Sequence, residues 1–199
     1  MANLNAPFGL RPVRQLNGSP WNGQTIRCYI SSSYATALYI GDPALLTPTL
    51  AEKDATAKYP TINRSAGTAG TIIRGVITSF EPLPGNLTLQ YNPASTERWC
   101  NVCLGMDVVF QIRDDGSGTP AKIFAGQNAV CANAGGSAVT GISGYQLNAT
   151  TPAATQNFTL HILGLADIAD NELGDCAIWE VLLNTCENAT GKYLGITAA

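Results

Sequence analysis

Short runs of alternating apolar and polar residues, separated by turn residues, recur along most of this chain. Residues 24–30 and 158–165 alternate in the way that strands with one buried face do. The 20 glycines and 11 prolines are spread throughout, and such regular punctuation is typical of sandwiches and barrels. Further strands are predicted at residues 37–40, 44–46, 71–80, 96–103, 107–113, 143–147 and 177–184.

These strands predict an all-β fold, with a jelly-roll-like sandwich or barrel body, long irregular loops and little helix. Residues 52–70 are polar and aperiodic, which predicts a long loop. Residues 121–151 are rich in small side chains, which predicts loops or closely approaching backbones. We expect an extended N-terminal arm at residues 1–23 and a single β-rich body at residues 24–199, with a candidate split into two lobes near residues 115–150.

The N-terminal arm has neither helical nor strand periodicity, yet it carries too much apolar surface for a solvated tail. Pro7 and Pro12 favour an extended backbone. Aromatic and arginine side chains dominate the energetics of protein interfaces, and the arm contains both kinds. The segment therefore suits either an arm that reaches a partner subunit or a strap that folds back over its own core. The residues that we expect to bind a partner are Phe8, Arg11, Arg14 and Trp21.

Charge is scarce in this chain. Charged residues make up 13% of the sequence, about half the usual share, so partners or neutral polar side chains must cover much of the surface. The net charge of −3 and the absence of a basic run argue against nucleic-acid binding. No apolar run reaches the ~20 residues of a membrane helix, and the start of the chain lacks a signal-peptide pattern. We therefore expect synthesis in a cytoplasm and no membrane partner.

Six cysteines raise the question of disulfides or a metal. Without a secretory route, the default is reduced, buried thiols that behave as small apolar side chains. Cys100 and Cys103 form a CxxC pair within a predicted strand, where residues three apart point to opposite faces. That geometry is poor for sharing zinc, and His161 is the only histidine. We expect no metal site and no cofactor.

The inventory of catalytic groups is equally thin. His161 lies within a predicted strand, so we interpret it as a surface or packed residue. The chain has no nucleophile elbow and no phosphate-binding loop. Acidic residues cluster at positions 114–115 and 167–175, but without the spacing of a calcium loop. We therefore expect no catalytic residues and no enzyme activity.

Several short stretches along the chain carry a resemblance to one known family. Residues 2–14, ANLNAPFGLRPVR, resemble the start of a family of tailed-bacteriophage head proteins that are usually encoded beside the major capsid protein. Similar stretches recur at residues 40–43, at Tyr91 with 94–98, at 107–112 and at 179–184, and so span nearly the full length. The family tends to carry aspartates just before position 107, whereas this chain reads CLGM at residues 103–106.

The resemblance implies a cement or decoration protein that stabilises the head. Such proteins bind the outer capsid surface, commonly as homotrimers at three-fold or quasi-three-fold positions, so the implied partners are the major capsid protein and further copies of this chain. The implied location is the outside of the virion. A clamp of this kind needs extended arms and large contact areas but no catalytic groups. If the arm anchors the chain, deletion of residues 2–22 is expected to leave a folded body that no longer binds heads.

Three other functions fit the composition. The chain could be another virion protein, at a tail or at the base of a head fibre. A carbohydrate-binding β-sandwich module would stack sugars on aromatic rings, for which the candidates are Trp21, Trp99, Tyr34 and Tyr145. A hydrolase would use paired carboxylates, whose spacing the sequence does not reveal.

Overall fold

The computed structural model describes residues 3–47, 59–105, 107–118 and 120–187, and this part of the chain is nearly all β. Strands account for 42% of the residues and helix for 1%, which confirms the all-β fold class. A single 3₁₀ turn, η1, covers Lys122–Phe124. The strands are β1 (Arg11–Gln15), β2 (Ile26–Ile30), β3 (Pro43–Leu46), β4 (Ile62–Arg64), β5 (Gly75–Phe80), β6 (Arg98–Leu104), β7 (Val108–Arg113), β8 (Asn128–Ala129), β9 (Cys131–Gly136), β10 (Ser143–Leu147), β11 (Leu160–Leu165) and β12 (Ile178–Leu183).

The first half of the chain builds a small barrel. β2, β6, β5, β3 and β4 pair in that order, all antiparallel, and the sheet curls until its two edges meet. The edges join where the Tyr29 N–H of β2 donates to the carbonyl oxygen of Pro60, just before β4 (2.9 Å). The interior, here called the barrel core, consists of Cys28, Ile30, Leu38, Ala44, Ile62, Ile77, Cys100 and Val102.

The second half, together with β1 from the start of the chain, builds an open sheet. β1, β7, β12, β11 and β8 pair in that order, all antiparallel, and the β9–β10 hairpin forms a separate two-stranded sheet. The cluster associated with this half, here called the sheet core, is larger than the barrel core and includes Phe110, Tyr145 and Trp179. Because successive strand residues point to opposite faces, Val76 belongs to the sheet core while its neighbour Ile77 belongs to the barrel core.

The two halves meet along β5 and β6. Cys103 belongs to the sheet core and Cys100 to the barrel core, so the CxxC pair does point to opposite faces, as the strand pattern predicts. Gly75 allows the close pairing of these strands, since a Cβ at that position would overlap the carbonyl oxygen of Cys103. The chain passes from barrel to open sheet between β6 and β7, whereas residues 115–150 contribute η1 and β8–β10.

Two of the predicted loops contain strands. The described part of residues 52–70 includes β4, because Ile62 fills the barrel core; residues 52–58 lie outside the described chain. Residues 121–151 contain β8, β9 and β10, of which only β10 was predicted. Small side chains are required in β9, since a Cβ on Gly136 would overlap the ring of Tyr39. Within the described residues no helix is long and apolar enough to cross a membrane.

Candidate functional site

The described part of the N-terminal arm, residues 3–23, packs on its own body. The Asn3 side chain donates to the carbonyl oxygens of Glu172 (2.9 Å) and Asp175 (3.0 Å) and accepts from the Glu172 N–H (3.1 Å). Leu10 is only 2% exposed and lies in the sheet core, and its N–H donates to the carbonyl oxygen of Gly41 (2.9 Å). The arm therefore takes the form of the second expected alternative, a strap, and contributes the edge strand β1.

Three of the four expected partner-binding residues lie along one face of the open sheet. The Arg11 guanidinium lies over the ring of Phe8 (4.9 Å to the ring centre) and donates to Gln111 Oε1 (2.7 Å). Arg11 and Gln111 are opposite each other in the β1–β7 register, and Gln111 is opposite Glu180 in the β7–β12 register. These three side chains therefore share one face of the sheet.

Arg14 joins the same row through an irregularity in β1. The register shifts between Pro12 and Arg14, and Arg14 Nη2 forms an ion pair with Glu180 Oε2 (2.6 Å). The side chains of Arg14 and Glu180 are 35% and 21% exposed, and Arg11 is exposed. We call Phe8, Arg11, Arg14, Gln111 and Glu180 the arginine row. It offers cations at the surface that are already positioned by the body.

Trp21, the fourth expected residue, lies elsewhere. It packs against the sheet core, and its indole N–H is buried without a hydrogen bond among the described residues. The thiol of Cys103 lies beside it. Burial raises the pKa of that thiol to about 12, although the neighbouring Trp21 indole lowers it by a smaller amount. Trp21 is thus chiefly an anchor of the arm on its own body.

A polar groove runs beside Trp21, between the β1–β2 connection and the residue that precedes β7. Its volume is about 670 Å³, and it adjoins a hollow of about 300 Å³ that Trp21, Ile26 and Leu104 help to line. Four of its side chains, those of Gln15, Asn22, Gln24 and Asp107, form no hydrogen bond with another described residue. We call this the amide groove, lined by Gln15, Asn17, Ser19, Asn22, Gln24 and Asp107.

A cluster of aromatic rings and charges lies on the outside of the barrel. The Arg27 guanidinium lies over the ring of Trp99 (4.1 Å) and bonds to Glu81 Oε2 (2.7 Å). Tyr29 and Tyr59 each lie 5.1 Å from Trp99 between ring centres. The hydrogen bond from Arg27 lowers the pKa of Glu81 and raises that of the guanidinium. Because Arg27 covers the indole ring, this cluster is not an open platform for a sugar.

The four aromatic residues expected for sugar stacking do not form one site. Tyr145 is fully buried, and its hydroxyl donates to the carbonyl oxygen of Ser65 (2.7 Å). Tyr34 packs against the barrel core. Trp99 is covered by Arg27. Trp21 borders the hollow beside the amide groove, whose carboxamides were not singled out by the sequence. Trp99 lines a separate hollow of about 400 Å³ together with Glu81, Glu97 and Arg98.

The side chains that could act in catalysis are held by hydrogen bonds within the fold. His161 Nδ1 is 2.7 Å from Asn128 Oδ1, and burial lowers the pKa of the imidazole. Asp114 is fully buried and accepts hydrogen bonds from the Cys176 N–H (2.7 Å) and from Trp179 Nε1 (3.0 Å). Among the described residues, no three His, Cys, Asp or Glu side chains come together in a way that could hold a metal ion.

All six thiols are free and buried. Burial raises the pKa of Cys28 to about 11 and that of Cys131 to about 12. Thiols of this kind are mostly protonated at neutral pH and are therefore poor nucleophiles and poor metal ligands.

Comparison of the chain with models of protein families, with curated proteins and with solved structures finds no match.

Proposed function

We propose that this chain is a virion structural protein, a cement or decoration protein that binds the outer surface of a phage head and stabilises it. The resemblance described above supports the class, the location and the major capsid protein as partner. It also supports a homotrimer at three-fold or quasi-three-fold positions. The chain acts by contact area, so no catalytic residue and no cofactor is assigned to it.

The observation that carries this proposal is a pair of exposed apolar side chains on two connections that touch each other. Val139, in the β9–β10 turn, is 90% exposed, and Leu87, in the β5–β6 connection, is 77% exposed. The two connections touch, since a Cβ on Gly141 would lie 2.6 Å from the Cβ of Gln90. Exposed apolar groups on adjoining loops are a common feature of protein contact sites. We call Leu87, Val139 and Ile142 the loop-tip surface.

The sheet edges favour contact through side chains rather than through strand pairing. Beyond β1, the Gln15 N–H donates to Ser19 O (2.8 Å) and the Trp21 N–H donates to Val13 O (3.3 Å). The other edge, β8, pairs with Ala153 through Asn128 (2.8 and 2.9 Å). Covered edges resist the addition of strands from other chains. The loop-tip surface and the arginine row are then the two surfaces that we assign to the shell and to neighbouring copies.

The test uses the purified chain and phage heads assembled from the cognate major capsid protein. The chain should sediment with the heads and should have a solution mass near three times 20.9 kDa. Leu87→Ser and Val139→Ser should each weaken head binding roughly 30-fold, the effect of losing an interface hot spot of about 2 kcal/mol. Ile123→Ser is the matched control, since Ile123 is also exposed (43%) but lies on η1.

Arg11→Ala and Arg14→Ala test the arginine row in the same assay. Deletion of residues 2–22 is a poor test, because it also removes β1 and Leu10 from the sheet, so a folded body is no longer expected to remain. A monomer that does not sediment with heads would contradict the proposal. A chain found only at a tail or at a fibre base supports the alternative virion role instead.

The amide groove favours a second candidate function, the binding of a neutral saccharide. Each carboxamide offers both a donor and an acceptor, which matches a sugar hydroxyl, and Trp21 borders the adjoining hollow. No lysine or arginine lines the groove, so an anionic ligand is disfavoured. The hydrogen-bonding groups of Gln15 and Gln24 are available without breaking contacts within the described chain.

A glycan array probed with the full chain tests this second function. Gln24→Ala and Asp107→Asn should each weaken binding of a retained glycan about 2–10-fold, the effect of one hydrogen bond. Gln156→Ala changes an exposed carboxamide outside the groove and should have no effect. If no glycan is retained, or if all three variants bind alike, the groove has no such role.

A further inference from the structure

The connection between β1 and β2 contains two asparagine–glycine pairs, Asn17–Gly18 and Asn22–Gly23. In such a pair the backbone nitrogen of glycine can attack the carboxamide carbon of the preceding asparagine, because glycine has no side chain to obstruct ring closure. All four residues are exposed, and both glycines have a positive φ (91° for Gly18 and 83° for Gly23). The two pairs therefore have the same sequence, similar exposure and a similar backbone conformation at the glycine.

The first pair is held by hydrogen bonds at both reacting groups. Asn17 Oδ1 accepts from the Ser19 N–H (3.0 Å) and from the Ser19 hydroxyl (2.7 Å). The Gly18 N–H donates to the carbonyl oxygen of Gln15 (2.9 Å). The nucleophile and the carboxamide are thus both engaged elsewhere, and both sets of contacts must break before they can react.

The second pair has no such restraint. Neither the Asn22 carboxamide nor the Gly23 N–H forms a hydrogen bond with another described residue. At both glycines, no atom outside the adjoining residues lies within 4 Å of the position that a Cβ would occupy, so the two pairs are equally open. The contrast between the two pairs lies in their hydrogen bonds, and it makes each a control for the other.

We propose that Asn22–Gly23 is a site of spontaneous deamidation in the native protein, while the fold protects Asn17–Gly18. The Gly23 nitrogen forms a bond to Asn22 Cγ and loses its proton, the bond from Cγ to the carboxamide nitrogen breaks, and ammonia leaves. Water then adds to either carbonyl of the resulting succinimide and opens the ring. The product is aspartate or isoaspartate at position 22. The only co-reactant is water, and no electron is transferred.

The reaction changes the amide groove. Asn22 and Asp107 both line it, so the product places a second carboxylate there and makes a chain with a formal charge of −3 more acidic by one charge. The isoaspartate form also lengthens the backbone directly after Trp21, the anchor of the arm on the sheet core. The extent of this reaction therefore increases with the age of the protein. It does not depend on whether the chain binds heads or saccharides.

The test is incubation of the native full chain at mildly alkaline pH, followed by peptide mapping and by enzymatic labelling of isoaspartate. Residue 22 should deamidate about tenfold faster or more than residue 17, because hydrogen bonds hold only the latter. In denaturant the two rates should converge. The rate at residue 22 should rise with pH, since the attacking nitrogen must lose its proton.

Two variants sharpen the result. Ser19→Ala removes the hydroxyl that bonds to Asn17 and should speed deamidation at residue 17 without changing the rate at residue 22. Gly23→Ala adds a side chain at the attacking residue and should slow the reaction at residue 22. Equal rates at residues 17 and 22 in the native chain, or a faster rate at residue 17, would overturn the proposal.

Discussion

The barrel and the open sheet both have five antiparallel strands, yet they depend on the chain in different ways. The barrel uses only β2–β6, one continuous stretch, and closes its own edges at Tyr29 and Pro60. The open sheet takes β7, β8, β11 and β12 from the second half and its edge strand β1 from the start of the chain. The sheet core therefore depends on residues that lie about a hundred positions earlier, and the barrel core does not.

Because the open sheet takes its edge strand from the N-terminal arm, the arm has a structural role. Its candidate partner-binding residues already contact Gln111 and Glu180 on the body, so surface arginines are positioned by the same contacts that complete the sheet. A change in the arm should therefore affect the open sheet first. The barrel provides an internal reference in the same molecule.

The largest effect is expected from Leu10→Ala. Leu10 lies in the sheet core at 2% exposure, and truncation of such a leucine typically costs about 2–5 kcal/mol of the free energy of unfolding. Leu4→Ala is the matched control in the same arm, because Leu4 is 74% exposed and should change stability by less than about 0.5 kcal/mol. Denaturant unfolding of both variants measures the difference, and equal losses would contradict an integrated arm.

Asp42, where the arm meets the barrel, should make stability depend on pH. Desolvation raises the pKa of this fully buried carboxyl from its usual 3.8 to about 6, against smaller opposing effects of Ser143, the Tyr39 N–H and Arg64. A raised folded-state pKa means that the folded chain binds the proton more tightly. Its contribution is therefore fully present below pH 3.8 and is lost as the pH rises through about 6, with a loss of about 3 kcal/mol.

Asp42→Asn removes this titration while keeping an acceptor for the Tyr39 N–H. The variant should be more stable than the parent at pH 8, and the gap should shrink as the pH falls toward 5. Urea unfolding across that range measures it. Asp167→Asn, at an exposed position, is the control and should follow the parent curve. Parallel curves for parent and Asp42→Asn would refute a charge cost at this junction.

The buried thiols can report separately on the two cores. Cys131 lies in the sheet core and Cys28 in the barrel core, and neither should react with a thiol reagent at pH 8 until its region opens. In the Leu10→Ala variant, Cys131 should become labelled about tenfold faster or more relative to Cys28 than in the parent. Mass spectrometry of labelled peptides measures both rates. Equal acceleration at both cysteines would mean that the two halves open as one unit.

The smallest effect is expected from the Arg14–Glu180 ion pair. Its side chains are 35% and 21% exposed, so solvent screens the attraction and a coupling of about 0.5 kcal/mol is expected. A double-mutant cycle with Arg14→Ala and Glu180→Ala measures it, and added salt should reduce it. A coupling above about 2 kcal/mol would instead indicate a structural ion pair.

The sequence predicts strands best where apolar and polar residues alternate clearly. β2, β7, β10, β11 and β12 all lie within predicted strands, because their buried faces carry large apolar side chains. β1 was missed because Pro12 and the two arginines hide the alternation, and a register shift after Pro12 disrupts it. β8 and β9 were missed because they consist largely of small residues. Small residues let backbones approach closely in strands, but they are equally common in loops.

The candidate sites were likewise predictable only in part from the sequence. Phe8, Arg11 and Arg14 could be singled out from residue type alone, but their common face depends on a three-strand register that no local pattern contains. The amide groove gave no signal, because carboxamides are ordinary surface residues until the fold gathers them beside Asp107. The asparagine–glycine pairs are visible in the sequence, whereas their difference in restraint depends on individual hydrogen bonds.

The sequence by itself determined that this chain is all-β, with buried thiols and little charge. These properties follow from local alternation, turn residues and composition, which do not depend on which strands become neighbours. Only the tertiary structure decided that β1 completes a sheet built from the other half of the chain and that the first half closes into a barrel. The physical reason is that strand pairing is long-range: backbone hydrogen bonds can join any two strands, and the choice is made by which cores can be filled together.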